Sequence, residues 1–488
     1  MISFLVSVFA LVAGFFLYGA FVERVFHPDP DRQTPALTKA DGVDFIAMPT
    51  WKVFMIQFLN IAGTGPIFGA IMGAKFGPAA YLWIVFGCIF GGAVHDYLSG
   101  MLSIRHGGAG YPELVGEYLG QGTKKVMLVF SILLLMMVGA VFVYSPAVIL
   151  GGMTGDGGSG SMMLWVAVIF VYYVIATLLP IDKIIGRIYP VFAFALLFMA
   201  VALLVCLLVK WPSIPEFWQG LGNRGPSVGL KDQPIFPCLF ITIACGAVSG
   251  FHATQSPLMA RCLKNEKLGR PVFYGSMITE GLVALVWAAV SSYFFFDGGA
   301  AEVGSDITAA APTVVTKVSQ SWLGILGGIL AVLGVVAAPI TSGDTAFRSA
   351  RLIIADFLHL DQKPMLKRLY IAIPLFALSA LLLWYNIADS NGFNVIWRYF
   401  GWSNQTLSVF MFWTATVYLV RNKPGLYYLI ALIPALFMTS VCTTFILVDK
   451  IGLGLPVATI PWIALGTFAI SAILFYLWKY RKKTDSHA

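Results

Sequence analysis

The sequence predicts an all-α integral membrane protein of about thirteen transmembrane helices, and three observations carry that prediction. Of 488 residues, 59% are hydrophobic and only 11% charged, with a mean hydropathy of +0.84. A soluble domain carries roughly a quarter charged residues, so this chain lacks the polar surface that water requires. Apolar runs of about 20 residues, the length that crosses a hydrocarbon core, recur from end to end. The basic residues are also segregated by side, as the order of the runs shows.

Taken in order, the expected spans are 2–22, 51–74, 79–102, 126–149, 162–180, 188–209, 236–258, 272–296, 321–345, 368–385, 393–419, 425–448 and 458–478. The opening run has no basic leader and no small-residue cleavage site, so it reads as a retained first span (1–24) rather than a signal peptide. If the tail WKYRKKTDSHA is cytoplasmic, alternation puts 24 of the 31 Lys and Arg inside and 7 outside. That asymmetry is the positive-inside pattern, and it predicts an inner-membrane protein with N-terminus out and C-terminus in. The net charge of +8 therefore serves topology, and nucleic acid is excluded as a partner.

Two spans carry interruptions. The second contains Ile61-Ala-Gly63-Thr64-Gly65-Pro66, and the seventh contains Gly246-Ala-Val-Ser249-Gly-Phe-His252-Ala-Thr254-Gln255-Ser256-Pro257. Gly and Pro together leave backbone groups without helical partners, which a membrane protein tolerates only against protein or a wet cavity. The two breaks lie five spans apart, in spans of opposite direction. That is the signature of a LeuT-like 5+5 inverted repeat, with repeats at 51–210 and 236–419 and two extra helices over 425–480. Tight packing explains isolated glycines. It does not explain Pro beside clustered polar side chains.

Polar groups inside apolar runs are the candidate site residues, because a charge at mid-membrane costs about 2.5–3.5 kcal/mol even on lenient scales. Gly63, Thr64, Gly65, Ser249, His252, Thr254, Gln255 and Ser256 surround the breaks and are expected to bind substrate. Asn404 and Gln405, in a Trp-Arg-Tyr-Phe-Gly-Trp-Ser-Asn-Gln-Thr stretch, join them as candidate hydrogen-bonding groups, and Arg398 as a carboxylate partner. His95 and Asp96 in the third span and Glu280 in the eighth are candidates for proton or ion coupling. So are Thr341, Ser342, Asp344 and Thr345, expected to close the ninth span at its cytoplasmic end. Their hard oxygens suit Na⁺, and Asp344 equally suits a proton. No cofactor motif occurs. The six cysteines form no C-x-x-C pair, so neither a disulfide nor a zinc framework is expected.

The stretches IAGTGP, AVHD, ITIACGAVSGFHATQSP, SGDTAFRSARLI and WRYFGWSNQTL together resemble the carbon starvation protein A (CstA) family, in its shorter branch. The resemblance spans nearly the whole chain. It implies membership of the amino acid–polyamine–organocation transporters and uptake of peptides or pyruvate during carbon starvation, by symport. The longer members carry Gln where His95 stands and lack ATQSP after the Gly-Phe-His. The expected partners are a small carboxylate-bearing substrate, a coupling ion and the bilayer. An intramembrane aspartyl protease using Asp96 and Asp344 is the rival reading, and a membrane sensor the second. Neither needs paired breaks, and the loops are too short for a signalling domain.

Overall fold

The computed structural model describes residues 1–154, 159–178, 185–222, 233–296, 311–362, 364–389 and 392–485. Within them the chain is all-helical, without strands. The principal helices are α1 (Ile2–Phe26), α2 (Thr50–Ile61), α3 (Gly65–Gly73), α4 (Ala79–Arg105), α5 (Gln121–Thr154), α6 (Ser159–Leu178), α7 (Ile185–Lys210) and α8 (Ile235–Thr242). They continue as α9 (Phe251–Ala260), α10 (Gly275–Phe296), α11 (Ala311–Leu330), α12 (Ala337–Phe357), α13 (Met365–Ala388), α14 (Gly392–Asn422), α15 (Leu429–Val448) and α16 (Ile460–Asp485).

Among the described residues, nine helices are long and apolar enough to cross a membrane. Two bent pairs, α2 with α3 at 46° and α11 with α12 at 53°, pass the same test when each is taken as one span. By length and composition that makes up to eleven among the described residues, against about thirteen expected. The remaining two expectations fall on segments that depart from a simple apolar helix. The seventh is split into α8 and α9, of 8 and 10 residues, around an unwound stretch. The eleventh is α14, whose 31 residues include the polar Ser403–Thr406 turn.

The packing is inverted relative to a soluble protein. Phe9, Leu17, Ile325, Leu366 and Trp462 are more than 70% exposed, while Asp96, Glu280, Asp344, Arg348 and Arg351 are buried to within 1%. Lipid as solvent favours this arrangement, because exposed apolar groups cost nothing there and charges need protein partners.

One expectation about an element is corrected. Thr341–Thr345 does not close a helix: α12 continues to Phe357, and this stretch lies fully buried in its first half. The Arg residues that suggested a cytoplasmic end are themselves buried, with Arg348 and Arg351 both reaching Asp44 of the loop before α2.

Candidate functional site

The first break follows from its sequence. Ala62–Thr64 are non-helical, and Pro66 begins α3 where a missing N–H is harmless. Among the freed carbonyls of α2, that of Leu59 accepts a 2.9 Å hydrogen bond from Ser342 Oγ of α12. The second break is longer, running from Ile243 to Gly250, with Gly246 at φ +90°. Only glycine adopts that conformation cheaply, and a Cβ there would stand 2.5 Å from Ala284 Cβ.

The neighbours satisfy the backbone released by the second break, as a low-dielectric interior demands. Trp83 Nε1 donates to Ile243 O at 2.8 Å, and Gln405 Nε2 to Phe240 O at 2.7 Å. Asn404 Oδ1 accepts from Phe251 N at 2.6 Å and from Ser249 Oγ at 3.1 Å, while Gly250 N donates to Asn404 O at 3.1 Å. Asn404 and Gln405, expected to contact substrate, are thus engaged in holding α8 and α9 apart. Arg398 likewise pairs with Asp449, at the far end of α15.

The two breaks touch. A Cβ on Gly65 would lie 2.4 Å from Cys245 Sγ, and one on Gly246 would lie 3.6 Å from Pro66 Cβ. The absence of side chains lets the two interrupted backbones meet.

Three polar groups gather around that contact. The first faces α2. Gln57 Nε2 donates to Ser256 Oγ at 3.3 Å, and Gln255 Nε2 to Thr254 Oγ1 at 2.9 Å. Gln57 Oε1, both amide atoms of Asn60, Thr64 Oγ1 and Gln255 Oε1 are buried without a hydrogen-bond partner. Buried polar atoms are nearly always paired, so orphans beside the two breaks leave hydrogen-bonding capacity that a ligand or water can fill.

The second group joins α4, α9 and α10. Asp96 accepts from His95 Nδ1 at Oδ1 and from His252 Nδ1 at Oδ2, each at 2.8 Å, and His252 Nε2 stands 3.5 Å from Glu280 Oε2. All four side chains are completely buried. The approach of α4 depends on Gly92, where a Cβ would stand 2.2 Å from Ala247 O in the second break. Gly92 ends a π-helical turn, Gly87–Gly92, just ahead of His95 and Asp96.

The third group is on α12. Tyr189 Oη lies 2.7 Å from Asp344 Oδ2 and 2.8 Å from Thr341 O, and Asp344 Oδ1 is buried without a partner. The hydroxyls of Thr341 and Thr345 turn back on their own helix, to Ala338 O at 2.8 Å and Ser342 O at 3.1 Å. Of the four expected coupling residues here, Ser342 hydrogen-bonds the first broken helix.

Gln57, Asn60 and Tyr189 were not anticipated from sequence. Gln57 and Asn60 had a signal, two amides at i and i+3 on one face just before a Gly-Pro break. Tyr189 had none, since a tyrosine near a span end reads as an interface residue. A separate apolar cavity of about 610 Å³, lined by Trp83, Phe86, Phe90, Phe240 and Phe437, holds none of these groups.

A family model described as carbon starvation protein CstA matches residues 1–154, 147–325 and 313–445. An uncharacterised membrane protein of Haemophilus influenzae is 47% identical over 60% of this chain and 91% of its own length. A peptide transporter CstA of Campylobacter jejuni is 26% identical over 87% of this chain and 76% of its own. A pyruvate/proton symporter of Escherichia coli is 24% identical over 90% and 80%. The fold is similar to that of a manganese transporter from Eremococcus coleocola, with a TM-score of 0.56 at 12% identity over 91% of this chain and 99% of that one.

Proposed function

Since this chain belongs to the carbon starvation protein CstA family, we propose that it is a proton-coupled secondary transporter of a small carboxylate-bearing solute, of the peptide or pyruvate class. The observation that carries the reading is the meeting of two broken helices beside buried, unpartnered amide and hydroxyl groups. The solute's carboxylate binds at the N-terminus of α3, where unpaired N–H groups and the helix dipole favour an anion. Asn60 and Thr64 supply donors from the first break, and Gln255 from the second. Repeats 51–210 and 236–419 form the two inverted halves of a thirteen-crossing inner-membrane carrier, N-terminus out, and rocking between them alternates access.

Asp344 carries the coupling proton. Tyr189 has one hydroxyl proton and two acceptors within 2.8 Å. When Asp344 is protonated its O–H donates to Tyr189, which donates onward to Thr341 O, and both contacts are satisfied. When it is ionised one of them lapses. The relative that is a pyruvate/proton symporter supports protons as the driving ion.

The test is uptake by proteoliposomes of labelled pyruvate and a labelled dipeptide, each under an inward proton or sodium gradient. Accumulation of one of them under the proton gradient is expected. Accumulation under sodium alone overturns the coupling assignment, and accumulation of neither under either gradient overturns the substrate class.

A further inference from the structure

Cys245, His252 and Glu280 come from three different places: the unwound stretch of the second break, the first turn of α9, and α10. We propose that these three side chains form a buried site for a resident divalent transition-metal ion of the zinc type, which fastens the second break to α10. This inference goes beyond the transport reading and does not depend on it.

The geometry begins with Asp96. An ionised carboxylate only accepts hydrogen bonds, so the 2.8 Å contact of Asp96 Oδ2 with His252 Nδ1 puts the ring proton on Nδ1. In the neutral ring, the form that binds metal, the lone pair of Nε2 then faces Glu280 Oε2 at 3.5 Å. Two acceptors opposed in a buried place repel, and 3.5 Å is too long for a carboxyl O–H to bridge them well. It is the right separation for two ligands of one metal. With Zn–N near 2.0–2.1 Å and Zn–O near 2.0–2.2 Å, tetrahedral ligands stand roughly 3.4 Å apart. The ligand atoms of all three residues already lie within 4.8 Å of one another. Cys245 Sγ lies 3.5 Å from Ser249 Oγ and 3.8 Å from Asn404 Nδ2, and would turn from those weak contacts to complete the set.

Two further observations point to a bound cation. Neither oxygen of Glu280 nor the Nε2 of His252 makes a hydrogen bond of good geometry, although the Gly246 N–H faces Glu280 and the Cys245 thiol faces His252. Among the described residues, Asp96 and Glu280 face His95 and His252 and pair with no Lys or Arg, so while His252 is neutral the two buried carboxylates have no fixed counter-charge. A divalent ion supplies positive charge there and gives His252 Nε2 and Glu280 a shared partner. The arrangement Asp96–His252–metal is the outer-sphere pattern in which a carboxylate fixes the tautomer and orientation of a ligating histidine. Thiolate, imidazole and carboxylate select zinc or cobalt over hard ions such as calcium or magnesium.

Metal content of the full chain, purified in detergent without a polyhistidine tag, tests the proposal. About one equivalent of zinc or another transition metal per chain is expected, falling at least tenfold in Cys245→Ser and His252→Ala. Exchange with Co²⁺ should give a sulfur-to-cobalt charge-transfer band that Cys245→Ser removes. Asp96→Asn should weaken zinc binding by about 10–100-fold while leaving the band's position unchanged. Size-exclusion profiles separate loss of metal from loss of fold. If the variants fail to fold, the wild-type chain still decides, through its metal content and Co²⁺ spectrum. Wild-type protein with no bound metal and no Co²⁺ spectrum overturns the proposal, as does zinc flux into proteoliposomes, which would make the ion cargo. Neither readout uses pyruvate or peptide transport, so failure here leaves the transport reading standing, and the reverse also holds.

Discussion

Tyr189 is an ordinary tyrosine in an apolar helix until its hydroxyl is placed within 2.7 Å of Asp344. Removing the carboxyl's proton site by Asp344→Asn should abolish gradient-driven uptake while leaving solute exchange across the membrane measurable. Tyr189→Phe removes one hydrogen bond to a charged group, worth about 1.5–3 kcal/mol. It should slow driven uptake by about ten- to a hundredfold, and initial rates in proteoliposomes check both. Gly246 makes a different demand. An alanine there pays about 1–2 kcal/mol for the left-handed backbone and would also press on Ala284 at 2.5 Å. Gly246→Ala should lower the thermal midpoint in detergent by several degrees, whereas alanine at Gly122, with open space around it, should not.

At the scale of elements, the second break is held open from outside. Asn404 accepts from Phe251 N and Ser249 Oγ, so a side chain on α14 satisfies groups that α8 and α9 leave free. Asn404→Ala leaves those donors buried and unpaired, at about 1–3 kcal/mol each. It should destabilise the protein and raise hydrogen exchange at residues 243–251 above exchange in α10; equal protection in the variant would contradict a positioning role. From sequence, Asn404 is expected to contact substrate, because an amide in an apolar span signals only that some partner exists. Which partner it has depends on which helix lies opposite, and 153 residues separate Asn404 from Phe251.

At the scale of the molecule, one end of the bundle is tied by Asp44. Arg348 reaches it at 3.3 Å and Arg351 at 3.6 Å, across some 300 residues of chain. Burial alone would raise the Asp44 carboxyl, but Arg351 and Arg348 outweigh it and hold the group below its ordinary value of 3.8. A depressed carboxylate stabilises the fold fully above its unfolded value, and that contribution fades as pH falls through the lower folded value. Asp44→Asn strands buried guanidinium charge and should cost about 3–5 kcal/mol near neutral pH. The difference between variant and wild type should close as pH drops below 3.8, in urea unfolding followed by tryptophan fluorescence. A difference independent of pH would mean that packing, not charge, ties this end.

Sequence by itself determined that the chain is all-helical and membrane-embedded, where its helices break, and which polar residues needed an explanation. Those properties follow from the cost of exposing backbone or charge to lipid, a cost each residue carries wherever it is placed. The resemblance in its motifs also identified the family, which the comparisons then showed. Tertiary structure alone decided that Gly65 meets Cys245, that Asp96 serves two histidines at once, and that Thr341–Thr345 lies inside a helix rather than at its end. Such facts depend on which segments become neighbours across hundreds of residues, and no local preference along the chain encodes that.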